Sequence, residues 1–328
     1  MRRTQAPTSL LAIATRQSGL VSASQCDEAG LDRYRRHRMV AAGRAALITR
    51  GVLDLTVALR EEGMAPREGP EARRRRAALL ALLAHGPAAV AVGPCALALL
   101  GVQGLPVDIR PEVWLPPGSP RRVRAGIVVR SYRGAFPTFT VGAFRVAAPR
   151  WALAQALPGL GRDAAIAALD SAVQRGLVGQ GELDDIASLC RHRTGAARVR
   201  GWLELVDGRA QSPLETRARL QCVDAGVPPD DLQVPIRDAA RRVIARGDLG
   251  WKLKQGRWLV VEIDGAGPHS APRALYGDRE RQNAIVATGR IDMLRFTARD
   301  VGRRNLIPAA VAAQLAADAL RSVRFGAT

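Results

Sequence analysis

Residues 246–265 read RGDLGWKLKQGRWLVVEIDG, and their reading decides the fold of the C-terminal part of the chain. Two runs, Arg246–Leu253 and Trp258–Asp264, are rich in Leu, Val, Ile and Trp and flank turn residues around Gly256. That arrangement predicts a β-hairpin. Each run carries a carboxylate, Asp248 in the first and Glu262 in the second, and hairpin parity decides whether the two can act together. A two-residue turn at Gln255-Gly256 pairs Asp248 with Ile263 and sends Glu262 to the opposite face. A three-residue loop, Lys254-Gln255-Gly256 with a left-handed glycine, pairs Asp248 with Glu262 at about 5 Å. The three-residue loop, or an equivalent bulge, is the expectation, because the two carboxylates can act together only then. Two carboxylates that close can share a hard cation such as Mg²⁺, which suits hydrolysis of a phosphodiester by water.

The flanking sequence supplies further candidates. Ser212-Pro213-Leu214-Glu215 is a capping box with proline at the first helical position, which explains a glutamate there on its own. The same helix end can also deliver Glu215 to the cation, and both readings stand. His269 follows the Asp264-Gly265 turn and reads as a general base, a phosphate contact, or a plain loop histidine. Asp278 and Arg281 lie one turn apart on a helix predicted over Arg273–Thr288. They form a surface ion pair, or Arg281 braces a carboxylate or grips a phosphate. A strand at Ile291–Phe296 and a final helix from Pro308 complete a mixed sheet flanked by helices. Lys252 shares a strand face with Asp248 but starts roughly 13 Å away, at about 3.3 Å per residue, and reads as a solvated charge.

Residues 8–54 predict three helices and a short hairpin. Ser22-Ala-Ser-Gln25 opens a helix that Gly30 closes, and Asp32 caps the next, which carries Arg33, Arg35, Arg36, His37 and Arg38. A wing follows around Gly51. A basic second helix of this kind fits the major groove, where arginine contacts phosphates and guanine edges, so these arginines are candidate DNA contacts.

Composition limits the rest. The 328 residues carry 49 Lys or Arg against 30 Asp or Glu, a formal charge of +19, which suits a polyanionic partner. The excess is +7, +7 and +5 over residues 1–80, 81–200 and 201–328, so no basic tail explains it. Apolar residues make up 47%, enough to exclude wholesale disorder. Four dispersed cysteines and four histidines show no zinc spacing and fit a reducing cytoplasm. Residues 77–107 are uncharged and long enough to span a bilayer, yet His85-Gly86-Pro87 and Gly93-Pro94 cut them into helix, strand and helix, so no membrane segment is expected. The stretch Leu10–Ala14, closed by Arg16, is too short for a signal peptide. The expected class is multi-domain α/β: a winged helix-turn-helix over 1–60, an α+β region without a chemical motif over 61–207, and a mixed-sheet domain over 208–328.

Ser-Pro-Leu-Glu-Thr-Arg (212–217), Gly-Asp-Leu-Gly-Trp (247–251), Val-Glu-Ile-Asp-Gly (261–265), His269, Asp-Arg-Glu-Arg (278–281) and Leu-Arg-Phe-Thr (294–297) occur in that order. Together they resemble the Vsr-like (very-short-patch-repair-like) domain of the PD-(D/E)XK nuclease superfamily, over residues 210–325. Residues 8–54 resemble the winged-helix segment of AbiEi-like type IV antitoxins. The first resemblance implies a restriction-endonuclease-like fold and DNA cleavage with Mg²⁺. Its metal ligands would be Asp248 and Glu262 with the Ile263 carbonyl, Glu215 would lie beside them, and His269 would be the base. Asp264 stands where the usual Glu-x-Lys has its lysine. That departure, with the antitoxin-like segment, implies the alternative of a DNA-binding regulator with a degenerate nuclease fold and a toxin-like partner.

Overall fold

The computed structural model describes residues 5–119, 124–132, 134–265 and 283–325. The chain is mixed α/β and divides into two compact units, residues 1–165 with 177–203 and residues 166–176 with 204–328.

The first unit opens with α1 (Thr8–Arg16), β1 (Leu20–Ser22), α2 (Ala23–Glu28), α3 (Arg33–Ala41), β2 (Ala46–Thr49), β3 (Val52–Asp54) and α4 (Thr56–Glu61). The expected local signals operate here. Ser22 and Gln25 form a reciprocal capping box, and Asp32 accepts from the Arg35 N–H at 2.8 Å. The three strands form an antiparallel sheet in the order β1-β3-β2, so the wing hairpin lies beside the strand that precedes α2. Leu10, Val21, Cys26, Leu31, Met39, Leu53 and Leu59 close a common core beneath them.

The unit continues through α5 (Pro70–His85), β4 (Val90–Ala91), α6 (Gly93–Leu99), β5 (Glu112–Trp114), β6 (Val128–Arg130), β7 (Thr138–Val141), β8 (Phe144–Ala147) and α7 (Pro149–Ala156). A mixed five-stranded sheet has the order β6-β5-β4-β8-β7. The uncharged run at 77–107 is buried here along Leu79, Leu82, Val90, Val92 and Leu97. Among the described residues no helix is long and apolar enough to cross a membrane. Helices α8 (Arg162–Gln174), α9 (Leu183–Leu189) and α10 (Ala196–Arg200) follow.

The second unit contains α11 (Pro213–Asp224), β9 (Asp231–Arg237), β10 (Val243–Lys252), β11 (Trp258–Asp264), β12 (Ile291–Thr297), α12 (Ala298–Val301) and α13 (Leu306–Phe325). Its sheet runs β12-β11-β10-β9, antiparallel except for the β11–β12 pair, which is parallel as a crossover connection requires. Leu249, Trp251, Leu259, Val261 and Ile263 pack with Ala218 and Cys222 of α11 and Ile307 and Val311 of α13.

The domain boundaries expected at 60/61 and 207/208 differ from these divisions. Residues 1–60 share a unit with most of the middle region, while 166–176 of α8 belong with the C-terminal sheet. The reason is a buried carboxylate. Asp170 accepts from Asp207 N at 2.8 Å, Thr216 Oγ1 at 2.7 Å and Arg219 Nη2 at 2.9 Å. An ionisable group this deep stays only where such partners satisfy it, and they tie α8 to α11.

Candidate active site

The hairpin has the expected three-residue loop. Leu253 N donates to Arg257 O at 2.9 Å, and Gln255 (φ 60°) and Gly256 (φ 69°) both turn left-handed between them. Leu249 therefore pairs with Val261, which sets Asp248 opposite Glu262 by count. The glycines flanking Asp248 are required by close packing. A Cβ at Gly247 would stand 2.0 Å from Val260 Cγ1, and one at Gly250 2.4 Å from Val234 Cγ2.

Parity holds, so the register sets the two carboxylates opposite one another. The β10–β11 ladder ends at Leu249–Val261. Beyond it Asp248 Oδ2 accepts the Ile263 N–H at 2.7 Å, replacing the backbone acceptor that the departing strand withdraws. Ile263 thus meets Asp248 through its N–H.

Glu215 is an acidic neighbour of Asp248. Ser212 Oγ caps α11 by accepting from Glu215 N at 3.2 Å. The buried Glu215 carboxylate accepts from Gln211 N at 2.9 Å and from Gln233 Nε2 at 3.0 Å. Glu215 therefore acts both as the helix-terminal acid and as a member of the site. Gln233 Nε2 also lies 3.4 Å from Asp248 Oδ1, so one amide spans both carboxylates. Gln233 sits opposite Asp248 in the β9–β10 register, between the Val234–Gly247 and Leu232–Leu249 pairs, with a left-handed φ of 52°. Burial, then the charge of Glu215, push the Asp248 carboxyl up to about 6. The Ile263 N–H and Gln233 act in the opposite direction, and Asp264 adds a further upward push.

Glu262 and Asp264 share a cation. Glu262 is buried and pairs in register with Arg295 on β12. Arg295 Nε lies 3.3 Å from Glu262 Oε2, and its Nη2 donates to Asp264 Oδ1 at 3.3 Å. Among the described residues no three His, Cys, Asp or Glu side chains gather as ligands of one ion. The oxygen donors Glu215 and Asp248 nonetheless fit Mg²⁺, which is commonly held by one or two carboxylates together with substrate phosphates. His269, Asp278 and Arg281 lie outside the described residues. Lys252 stacks over the Trp258 ring at 6.0 Å.

On α3 the five basic side chains separate by task. Arg36 is an internal brace rather than an open DNA contact. Its Nη1 donates to Ala23 O at 3.1 Å and Leu31 O at 3.0 Å and pairs with Asp27, with only 15% of the side chain exposed. Arg35 reaches back to Gly30 O at 2.6 Å. Arg33 and His37 are exposed, and Arg38 lies 6.0 Å from the centre of the exposed Tyr34 ring.

Gln233 and Arg295 are absent from the sequence-derived set. The strand that carries Gln233 is not predicted, because Pro228, Pro229 and Pro235 interrupt the segment. Strand β9 tolerates Pro235 because it lies at the sheet edge. For Arg295 a signal was present: a parallel crossover sets 295 beside 262 once the register is known.

No family model matches the chain. Over 175 residues, 53% of this chain, it is 29% identical to "Uncharacterized protein MT2308" of Mycobacterium tuberculosis (strain CDC 1551 / Oshkosh). The same figures hold for "Uncharacterized protein Rv2248" of strain ATCC 25618 / H37Rv. The match spans 63% of the length of each relative, less than two thirds.

Proposed function

We propose that this chain is a DNA-binding protein with a winged-helix reader and a Mg²⁺-dependent endonuclease-like site that hydrolyses DNA phosphodiester bonds. The observation that carries this reading is the Asp248 carboxylate, raised to about 6 beside Glu215 at the open end of a hairpin in a chain of charge +19. Two hard-oxygen acids kept near one another against their mutual repulsion are what a divalent cation would relieve. Asp248 and Glu215 would hold Mg²⁺, with Glu262 completing the set. The ion would offset charge on the phosphate and make a water a better nucleophile. The exposed Arg33 and the half-buried Arg38 of α3 would supply the positive face of the reader. The four cysteines are free and buried, which supports a reducing, cytoplasmic setting.

A second reading has its own observation. Arg295 already places a fixed positive charge between Glu262 and Asp264. This favours a degenerate nuclease fold in an antitoxin-like transcriptional regulator, acting on DNA with a toxin-like partner. Nicking of plasmid, mismatched duplex and single-stranded DNA with and without Mg²⁺ separates the two. Activity in the wild type that is lost in Asp248→Ala, with DNA retention intact, supports the enzyme. Retention without cleavage of any substrate overturns it in favour of the regulator.

A further inference from the structure

Arg74, on α5, is a buried cation with no ion-pair partner among the described residues. It is 8% exposed, and its Nη1 donates to Leu105 O at 3.1 Å and Pro106 O at 3.4 Å. Its Nε and Nη2 make no hydrogen bond with a described residue, and no described carboxylate lies within ion-pair distance of it. Glu71, one turn back, is exposed and acts on Arg74 only through space, while burial lowers the guanidinium pKa. Buried charges in folded proteins are ordinarily paired, because an uncompensated ion loses its hydration with nothing in return. Arg74 lacks that partner among the described residues.

The same side chain lines a cavity of about 680 Å³, inside the range of roughly 300–1,000 Å³ typical of small-molecule sites. Arg16, Arg67 and Arg75 also line it, against only Glu68 and Glu71. Glu68 is already paired with Arg60 at 3.2 Å. Pro66, Leu99 and Val102 supply apolar wall. We propose that this cavity binds a small amphipathic organic anion, with its acidic head on Arg74 and its apolar body against Leu99 and Val102. The proposal concerns the first unit alone and is independent of any nuclease activity.

Fluorescence titration of the full chain with anilinonaphthalene sulfonate, an apolar aromatic body with one anionic head, tests it. The expected result is saturable one-to-one binding. Arg74→Gln, which keeps a donor and removes the charge, weakens it by about tenfold or more. Ala98→Phe, which fills the cavity from α6, abolishes it. Displacement by octanoate or by phenyl phosphate distinguishes a carboxylate-bearing from a phosphate-bearing ligand. Circular dichroism identifies a variant that fails to fold, and the other variant then decides. No saturable binding by the wild type, or unchanged binding in the folded variants, overturns the proposal.

Discussion

Gln233 donates its Nε2 to Glu215 Oε2 at 3.0 Å, and the same nitrogen lies 3.4 Å from Asp248 Oδ1. A single neutral amide therefore separates two acids that arrive from a helix terminus and a strand end. It does so from a left-handed backbone position that disfavours any side chain.

Replacing that amide with a third carboxylate sharpens the repulsion. Gln233→Glu is expected to lower stability by about 1–3 kcal/mol at pH 7.5. The penalty shrinks towards pH 4 as Asp248 takes up its proton. Urea unfolding at the two pH values measures it, and an equal loss at both would show that packing, rather than charge, decides the position.

Asp248 carries a pH signature of definite sign. Its folded pKa of about 6 exceeds the ordinary 3.8, so the folded state binds more protons between those values. Stability therefore falls as pH rises from 4 to 6 and stays reduced above. Asp248→Asn keeps an acceptor for the Ile263 N–H and removes the charge. It is expected to stabilise the fold by about 2 kcal/mol at pH 7.5 and by nearly nothing below pH 4. Chemical denaturation across that range reads the crossing directly.

Arg295→Met removes the in-register cation of the buried Glu262 and is expected to cost about 2–4 kcal/mol. Adding Glu262→Gln removes the carboxylate charge, so the double variant should recover much of the loss. A double-mutant cycle on unfolding free energies measures the coupling. Additive losses would show that the pair contributes little.

Helix α3 offers a contrast between neighbouring arginines, under the proposed DNA-binding role. Arg33→Ala leaves thermal stability unchanged, weakens DNA retention and lowers the salt slope of binding by about one unit. Arg36→Ala breaks the brace to Ala23, Leu31 and Asp27. It lowers stability by about 1–2 kcal/mol before it touches affinity. Melting curves and binding isotherms at several salt concentrations separate the two roles. Equal behaviour would place both side chains in the same role.

Local signals in this chain are unusually explicit, and they carried the elements they govern. Ser22 with Gln25, Asp32 and Gly30 bound α2 and α3; Gly256 turns the hairpin; Ser212 with Pro213 starts α11. Each acts over a few residues, so its outcome is written in the spacing itself. Strand β9 escaped because Pro235 reads as a strand breaker until the sheet edge that accommodates it is known. The α8 segment at 166–176 looked like part of the middle region because nothing local marks Asp170 as a buried anchor.

What the sequence determined by itself was the inventory: a mixed α/β chain of charge +19, a hairpin turning around Gly256, and carboxylates at 215, 248, 262 and 264. Tertiary structure decided how those carboxylates were divided. Asp248 went to Glu215 and Gln233, while Glu262 and Asp264 went to Arg295. The physical reason is range. Turns and caps are set by bonds within a few residues, whereas a buried charge takes whichever partner the packed sheet and helix bring to it, 18 residues away for Gln233 and Glu215 and 31 for Arg295 and Asp264.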